Sequence, residues 1–496
     1  MFLGNLESLL FFLPELVLTA TVFLLIVVRV VTKDPKSDAF PFLSVVGISA
    51  AILLSCYMPA GKSLSIFEGM IAYDAFAVFF KVITALASII VIFMALDSRE
   101  MEGRPQVEFY VFLLASLIGM FLLAASTDIV MLYLSFELVS IPSYLMAGYI
   151  KGKVQSTEAA MKYVVYGGTA SAVMIYGFSL LFGLTGATHI VEIGKALVGG
   201  NAPVLPVILA CVMITAGFGY KIAAVPFHMW SPDVYEGAPT PATAFFSVAP
   251  KAAGFAVLIR FFYSVFAVPD PSSAGLWKLS TAVDWTLMFA VLSAITMTVG
   301  NLIAVKQENV KRLLAYSSIA HAGYMLMGFV LLNSKGLLAV LFYAVIYLFM
   351  NIGAFYVVLL VGNASNGEDI SDFKGLGSRA PFIAVSMAIF LFALTGIPPF
   401  SGFIGKFYLF KEAINQQLYW LVVVAALNSV VGLYYYARIV KSMFFDDPKD
   451  DTAVEMAVSM VPRALIALMA APTLLLVVYW DPVVEMISNS VQMLTF

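Results

Sequence analysis

The chain has 496 residues, of which 62% are hydrophobic and 11% charged, and its mean hydropathy is +0.97. This composition excludes an ordinary soluble globular protein, and a formal net charge of −3 is too small to indicate nucleic-acid binding. Apolar runs of about 18 residues or more recur throughout, each long enough to cross a bilayer as a helix. We therefore predict an all-α polytopic membrane protein.

Fourteen apolar spans are predicted in chain order. Proline interrupts the seventh at Pro226 and the twelfth at Pro398 and Pro399, because proline removes a backbone donor and clashes with the preceding helical turn. Both helices are therefore expected to be discontinuous. The spans cover residues 9–31, 40–58, 73–95, 108–125, 128–150, 160–184, 204–227, 240–267, 283–304, 313–332, 337–361, 381–410, 418–440 and 461–480.

Basic residues are distributed unequally between alternate loops. Loop cations are retained on the cytoplasmic side, so the asymmetry predicts both termini on the outer side of a bacterial-type inner membrane. The richer set has sixteen: Arg29, Lys33, Lys36, Arg99, Arg104, Lys151, Lys153, Lys306, Lys311, Arg312, Lys374, Arg379, Arg438, Lys441, Lys449 and Arg463. The poorer set has five: Lys62, Lys195, Lys278, Lys335 and Lys411.

Six further cations fall within the spans, namely Lys81, Lys162, Lys221, Lys251, Arg260 and Lys406. Arg260 lies near a span end, where it is expected to snorkel to the interface, and Lys81 lies two turns from Asp74 on one helix face. The other four lysines suggest function, because ionisable groups inside a bilayer are costly. Lys162 also admits a role as an interfacial anchor.

The buried charges suggest proton transfer. Glu137 lies mid-span, and a partly hydrated lysine inside a bilayer gains or loses its proton as a neighbouring carboxylate or its hydration changes. We predict a row from Glu137 and Lys221 through Lys251 to Lys406, with Lys162 as a further member. His228 and His321 are candidate bridges in this row. For each histidine, simple pairing with a backbone carbonyl is the alternative.

Redox motifs are missing from the sequence. It has only two cysteines, Cys56 and Cys211, which are interpreted as core residues, and it has neither a dinucleotide fingerprint nor a phosphate loop. No cofactor or metal is therefore expected in this chain. Driving energy is expected from a partner or an ion gradient.

The two proline breaks also suggest an internal repeat. Residues 224–227, AVPF, echo residues 396–400, GIPPF, five spans later, and paired broken helices are typical of repeated transporter folds. We predict an N-terminal three-helix segment over 1–107, inverted five-helix repeats over 108–267 and 283–440, and a C-terminal loop, helix and tail over 441–496.

Three stretches carry a resemblance to a known family: MWSPDVYEGAPTPATAFFSVAPKAAGFAVLIRF, LSFELVSIPSYLMAGY and LTGIPPFSGFIGKFYLF. They resemble the proton-pumping, antiporter-like membrane subunits of respiratory complex I, and within them the subunit N (ND2) group. The resemblance covers nearly the whole chain. It implies coupling of proton movement to quinone reduction elsewhere in the complex, with NADH, FMN, iron-sulfur clusters and quinone held by partner subunits.

The resemblance also implies residue roles. Glu137 matches a fifth-helix glutamate, Lys221 its seventh-helix partner, Lys251 an eighth-helix relay lysine, and Lys406 a twelfth-helix lysine that delivers protons to the exit. Lys162 matches a further sixth-helix lysine. The related subunit M group has glutamate at the twelfth-helix position, so Lys406 argues against it.

Two other functions are compatible with these residues. A subunit of a multi-subunit sodium/proton antiporter or of a membrane-bound hydrogenase would share the fold and charges. A stand-alone secondary transporter would instead show transport by the isolated chain. Identifying the soluble subunits that copurify would separate these possibilities.

Overall fold

The computed structural model describes residues 4–33, 37–57, 63–104, 106–198, 203–273, 275–280, 283–448 and 458–492. Three of the loop cations counted above, Lys36, Lys62 and Lys449, lie outside these residues. Within them the chain is almost entirely helical, as expected where a bilayer requires every backbone group to be paired internally.

The N-terminal segment has three membrane-length helices, α2 to α4, and a small hairpin. Its elements are α1 (Asn5–Phe11), α2 (Leu13–Thr32), α3 (Ala39–Cys56), β1 (Leu64–Ile66), β2 (Ile71–Tyr73) and α4 (Ala75–Asp97). The two strands pair antiparallel with Leu64 opposite Tyr73.

The first half of the central region follows. Its helices are α5 (Gln106–Ala125), α6 (Ile129–Ala147), α7 (Val154–Thr185), α8 (Ile190–Val198), α9 (Val204–Ile222), α10 (Ser231–Gly237) and α11 (Thr240–Val265). A short antiparallel pair, β3 (Ala267–Pro269) and β4 (Trp277–Leu279), leads to the second half.

The second half and the C-terminal region complete the chain. Their helices are α12 (Trp285–Ala304), α13 (Val310–Phe329), α14 (Ser334–Ser365), α15 (Leu376–Arg379), α16 (Pro381–Thr395), α17 (Ser401–Asn415), α18 (Tyr419–Phe445), α19 (Met460–Leu475) and α20 (Asp481–Gln492). Short 3₁₀ turns occupy Arg99–Met101 and Ile370–Phe373.

The all-α membrane fold is confirmed, since eleven of the described helices are long and apolar enough to span a bilayer. The other three predicted spans correspond to α13, which carries polar residues, to α16 and α17 together, and to α19, which has 16 residues. The count of fourteen spans, the inverted repeats and the segment boundaries stay predictions.

Both proline sites interrupt helices. α9 ends at Ile222, five residues before the predicted span end, because Ala223 turns into the left-handed region and the chain then passes through turns to α10. α16 ends where Gly396 adopts a φ of 82°, and α17 begins at Ser401. The Val225–Pro226 and Pro398–Pro399 bonds are both cis.

Loops that were assigned to the same side by their charge meet at the same end of the molecule. At the basic end, Asn309 pairs with Asp369, and the side chain of Arg99 donates to the Asn363 carbonyl at 2.6 Å. At the opposite end, β-bridges join Ile71 to Ser126, Asp128 to His189, and Leu276 to Asn333. The two loop sets are therefore spatially separate, as a multi-pass chain requires.

α11 and α14 form the centre of the molecule. Nearly every residue of α11 and most residues of α14 are buried, whereas the outer helices α2 and α18 expose large apolar residues such as Phe23, Leu427 and Val430. Apolar groups facing outward and polar groups facing inward are typical of a protein in lipid. Cys56 is exposed, so its interpretation as a core residue is wrong, while Cys211 is buried.

Two buried ion pairs hold the N-terminal segment, one joining it to α11 and the other joining two of its own helices. Arg260 does not snorkel, because both of its terminal nitrogens bind Asp74 at 2.7 and 2.8 Å in a site where neither side chain is exposed by more than 1%. Lys81 therefore pairs with Glu15 on α2 at 2.5 Å rather than with Asp74. The sequence did not identify either partner, because spacing along one helix gives no information about residues on other helices.

We predict that Asp74→Asn destabilises the protein by about 3 kcal/mol or more, because it leaves the Arg260 charge buried without its counter-charge. Asparagine can still accept the N-terminal hydrogen bond that Asp74 takes from the Ala77 amide. The midpoint of thermal unfolding in detergent measures the effect.

Lys278→Ala is the matched control, since it breaks the pair with Asp270 from a side chain that is 63% exposed. We expect little change in that variant. Equal unfolding midpoints for Asp74→Asn and the parent protein would contradict the prediction.

Candidate functional site

The three lysines of the predicted row lie deep in the structure. Lys221, Lys251 and Lys406 are each no more than 5% exposed, and Glu137 is half-buried. Each lysine lies on a different helix, α9, α11 and α17 respectively. Their surroundings decide which of them communicate.

Glu137 and Lys221 approach each other through α6. Glu137 Oε1 accepts a hydrogen bond from Ser171 on α7, and Lys221 Nζ donates to Ser140 Oγ at 2.7 Å. Ser140 lies three residues after Glu137, so both face the same side of α6 one turn apart. Among the described ion pairs none joins Glu137 to Lys221. The predicted partners thus lie near each other, but each binds its own serine hydroxyl, Glu137 that of Ser171 and Lys221 that of Ser140.

The end of α9 explains the position of Lys221. The lysine lies in the last turn of the helix, where the carbonyl ends of the peptide dipoles favour a cation. Its Nζ lies 4.3 Å from the centroid of the Phe136 ring, a distance at which a cation is attracted to the aromatic face. The break before Pro226 therefore creates part of the lysine site.

Gly254 allows a close approach between the Lys221 and Lys251 helices. A Cβ atom on Gly254 would lie 3.1 Å from Lys221 Cγ and 2.9 Å from Ile222 Cγ2. Gly254 follows Lys251 by three residues on α11, so it lies about one turn from that lysine. The glycine allows α9 and its lysine to pack directly against the Lys251 helix.

Lys251 is held by α13. Its Nζ donates to the Ser318 carbonyl at 3.1 Å and also contacts the Ser318 hydroxyl. The Tyr235 ring centroid lies 5.9 Å from the same nitrogen. No ion pair involving Lys251 occurs in the described part of the chain, so its polar neighbours are oxygens without a full charge.

His321 lies one turn beyond Ser318 on α13 and contacts two tyrosines. Its Nδ1 is 2.6 Å from the Tyr343 hydroxyl on α14, and its Nε2 is 3.3 Å from the Tyr436 hydroxyl on α18. The Tyr436 hydroxyl in turn contacts Ser317. The alternative of a histidine paired only with a backbone carbonyl is therefore wrong for His321.

Lys406 lies on α17, and its side chain extends back to the break between α16 and α17. Its Nζ donates to the Thr395 carbonyl, at the end of α16, at 2.9 Å and to Ser429 Oγ at 3.3 Å. The same nitrogen lies 4.2 Å from the Tyr324 ring centroid, and the Tyr324 hydroxyl is 3.1 Å from Ser429 Oγ. The carbonyl freed by the helix break thus binds the lysine.

One face of α13 joins the last two lysines. Ser318 contacts Lys251, His321 follows three residues later, and Tyr324 contacts Lys406 after three more. The separation of six residues between Ser318 and Tyr324 corresponds to about 9 Å along the helix axis. A line of groups that donate and accept protons therefore runs from one lysine to the other, and it suits transfer in short steps.

The structure does not bring Lys162 into this line. Lys162 is 36% exposed and pairs with Glu158 at 2.6 Å and with Asp233 at 2.5 Å. Arg312 extends the network to Asp233 at 2.6 Å and Glu236 at 2.7 Å. Burial opposes ionisation of Asp233, but hydrogen bonds from Lys162 and Arg312 outweigh it, so the Asp233 pKa is lowered. This network fits the interfacial-anchor alternative for Lys162.

His228 lies in the turns between α9 and α10, 7% exposed. Its Nδ1 has no hydrogen-bond partner among the described residues, and none of the recorded side-chain bonds connects it to a row lysine. Its role as a bridge stays a prediction.

Several polar residues of the site carried no clear signal in the sequence: Ser140, Ser171, Ser318, Tyr324, Ser429 and Tyr436. Serine and tyrosine are frequent in membrane helices, so single residues do not stand out. The run of Ser317, Ser318, His321 and Tyr324 on one face of an otherwise apolar span was the one available pattern. As for metals, the described residues hold no group of three or more His, Cys, Asp or Glu placed to bind one.

Comparisons with known proteins agree with this architecture. The family described as NADH:quinone oxidoreductase/Mrp antiporter matches residues 126–432. A relative named NADH-quinone oxidoreductase subunit N, from Anaeromyxobacter sp. (strain Fw109-5), is 43% identical, and the match covers 99% of this chain and 98% of the relative.

Solved structures share the fold. A chain of respiratory complex I from Thermus thermophilus aligns with a TM-score of 0.77 and 27% identity, over 95% of this chain and 98% of that chain. A chain of the Mrp complex from Dietzia sp. DQ12-45-1b aligns with a TM-score of 0.82 and 18% identity, over 98% of each chain. The second likeness concerns the fold alone.

We predict that Gly254→Val pushes Lys221 away from Ser140, because the added side chain would occupy space filled by Lys221 and Ile222. Overpacking of this kind costs about 1–3 kcal/mol. An experimental structure would show Lys221 Nζ beyond hydrogen-bond distance of Ser140 Oγ, and the unfolding midpoint would fall.

Gly168→Val on α7 is the control, since a Cβ there would meet nothing within 4 Å. It should leave both measurements unchanged. A retained Lys221–Ser140 bond in Gly254→Val would overturn the prediction.

Proposed function

The chain belongs to the NADH:quinone oxidoreductase/Mrp antiporter family of membrane proteins, and on this basis we propose that it is the N-type proton-translocating subunit of a complex I type NADH:quinone oxidoreductase. It takes part in the enzyme as a membrane subunit. Quinone reduction elsewhere in the complex drives proton transfer through the buried groups of this chain.

One observation carries the residue-level proposal: Lys251 and Lys406 contact the same polar face of α13, at Ser318 and at Tyr324, with His321 between them. A packing residue would not require a buried ammonium group, and burial without a counter-charge disfavours the charged form of an amine. The arrangement therefore favours proton exchange between the two lysines over a purely structural role.

In the proposed sequence, Lys251 accepts a proton and passes it along α13. The proton moves by way of Ser318, His321 and the surrounding tyrosine hydroxyls, with water filling gaps longer than a hydrogen bond. Lys406, bound to the freed Thr395 carbonyl, receives it and releases it at the far end. Each transfer changes the charge felt by the next group, so one proton arriving favours departure of the one ahead.

Glu137 and Lys221 act on this row from one side. Proton loss from Lys221 changes the charge beside Gly254, about one helix turn from Lys251. Proton gain by Glu137 changes the charge near Lys221. A conformational step in a neighbouring subunit that moves the half-buried Glu137 would shift the proton affinity of Lys221 first and of Lys251 next.

The sodium/proton antiporter alternative has weaker support. The family model covers both kinds of protein, but two relatives named NADH-quinone oxidoreductase subunit N and subunit N 2 are 43% and 44% identical over 99% of this chain, whereas the Mrp complex chain is 18% identical. The partners are accordingly other membrane and peripheral subunits of a complex I type assembly.

NADH, FMN, the iron-sulfur clusters and quinone are placed in partner subunits. The chain is placed in a bacterial-type inner membrane with both termini outside. The separation of the basic loops from the sparsely charged ones supports this orientation.

We predict that Lys251→Ala lowers the number of protons pumped per electron while the complex still assembles. The alanine removes the proton-binding group and leaves a small cavity beside Ser318. Proteoliposomes containing the whole complex give the ratio from simultaneous acidification and quinone reduction.

Lys195→Ala is the control, since Lys195 is an exposed lysine on α8, far along the chain from the row. It should pump like the parent complex. Unchanged stoichiometry and turnover in an assembled Lys251→Ala complex would remove Lys251 from the mechanism.

A further inference from the structure

A polar cleft opens at the basic end of the molecule, above the N-terminus of α11. Its volume is about 340 Å³, and its lining includes Arg99, Glu100, Lys153, Thr240 and Glu368. A cleft of this size has room for several waters. The cleft lies outside the row described above.

Two carboxylates converge on one residue at the floor of this cleft. Glu100 Oε2 accepts from the Thr240 amide at 3.1 Å, and Glu368 Oε1 accepts from the Thr240 hydroxyl at 3.2 Å. Thr240 is the first residue of α11, where the helix dipole favours negative charge. Glu100 and Glu368 belong to different loops, so folding brings them to the start of the helix that carries Lys251.

A buried cation lies directly beneath the carboxylates. Lys311 has no exposed side-chain surface, and its Nζ lies 3.1 Å from Glu368 Oε1 and donates to the Ala238 carbonyl at 2.9 Å. A proton that binds Glu368 neutralises the counter-charge of Lys311. The positive charge left on Lys311 then repels that proton, so Glu368 holds it less firmly than it would beside a neutral group.

A stripe of hydroxyl groups continues from the cleft to Lys251. Thr240, Thr243, Ser247 and Lys251 follow one another at intervals of three, four and four residues, which places all four on one face of α11. All are buried, at 1% exposure or less. Successive members lie one turn apart, a spacing that one water between neighbours can bridge.

On α14, buried polar atoms that lack a hydrogen-bond partner among the described residues indicate that water binds beside this stripe. Asn351 on α14 donates to Ser247 Oγ at 2.6 Å, yet its own Oδ1 is buried without a hydrogen-bond partner in the described part of the chain. The hydroxyl of Tyr347, one turn away on α14, is unpaired in the same sense. Buried polar atoms of this kind are normally satisfied by ordered water.

We propose that this cleft is the proton-uptake site of the chain, with Glu100 and Glu368 as the proton-accepting groups and Thr240, Thr243, Ser247 and Asn351 as the route to Lys251. This inference rests on the proton-translocating function argued above. It adds a starting point for the row, at the end of the molecule where the basic loops lie.

The test compares whole complexes in proteoliposomes that carry Glu100→Gln with Glu368→Gln, Asn351→Leu, Lys251→Ala, or the control Glu308→Gln. Glu308 lies at the same end, is 70% exposed and pairs with Arg438 on the surface. Protons pumped per electron are measured between pH 6 and 9 on the basic-loop side.

We expect the double glutamine variant and Asn351→Leu each to show at least half of the pumping loss caused by Lys251→Ala, most strongly at the alkaline end, where protons are scarce. Glu308→Gln should pump normally. Glu368→Asp, which keeps a carboxylate at this position, should retain most of the pumping that the double glutamine variant loses. Normal pumping by both route variants, with a loss in Lys251→Ala, overturns the uptake site and leaves the function standing. Normal pumping by Lys251→Ala as well overturns both.

A second measurement covers variants that fail to assemble. Ser247→Cys should react with the silver ion, a thiol-binding cation small enough to follow a path of single waters, when it is applied from the basic-loop side, and the reaction should be faster than that of the parent chain with its own Cys56 and Cys211. In a chain that carries both Ser247→Cys and Asn351→Leu, that reaction should be several-fold slower. A Ser247→Cys chain that labels no faster than the parent overturns the proposal.

Discussion

The structure depends on the burial of ammonium groups without carboxylate partners. Lys221, Lys251 and Lys406 are satisfied by serine hydroxyls, backbone carbonyls and aromatic faces, whereas the structural cations Arg260 and Lys81 have direct acidic partners. A buried ion pair between two helices fastens them together. A buried lysine among neutral oxygens has no counter-charge to stabilise its charged form. The described part of the membrane interior therefore contains cations with acidic partners and cations without them.

Broken helices make this second kind of site possible. The end of α16 frees the Thr395 carbonyl for Lys406, and the end of α9 places Lys221 in a terminal turn. Irregular backbone at membrane depth is tolerated only where it is buried in protein or lines a cavity. Here the released groups bind the lysines, so each interruption both creates and fills a polar site. α13, in the second half, supplies the polar face that Lys251 of the first half and Lys406 of the second half both contact.

The sequence predicted the helices well because each is a long apolar run bounded by polar residues. It also identified the row lysines, since cations inside such runs have a clear cost. It failed for Arg260 and Lys81, whose partners Asp74 and Glu15 come from other helices and are invisible to spacing along one helix. Ser318, Tyr324 and Tyr436 were missed because hydroxyl residues are common in membrane helices. Only the packing of α11, α14 and α17 around α13 shows which of them meet a lysine.

Proton exchange between Lys251 and Lys406 across α13 is proposed to pass through His321, the group with an ionisable ring between them. Proton pumping per electron in a whole complex carrying His321→Phe tests this step, because phenylalanine keeps an aromatic ring beside Tyr343 but removes both ring nitrogens. We expect the complex to assemble, to reduce quinone and to pump fewer protons per electron. An assembled His321→Phe complex with the parent's stoichiometry at every pH would rule out His321 as the link between the two lysines.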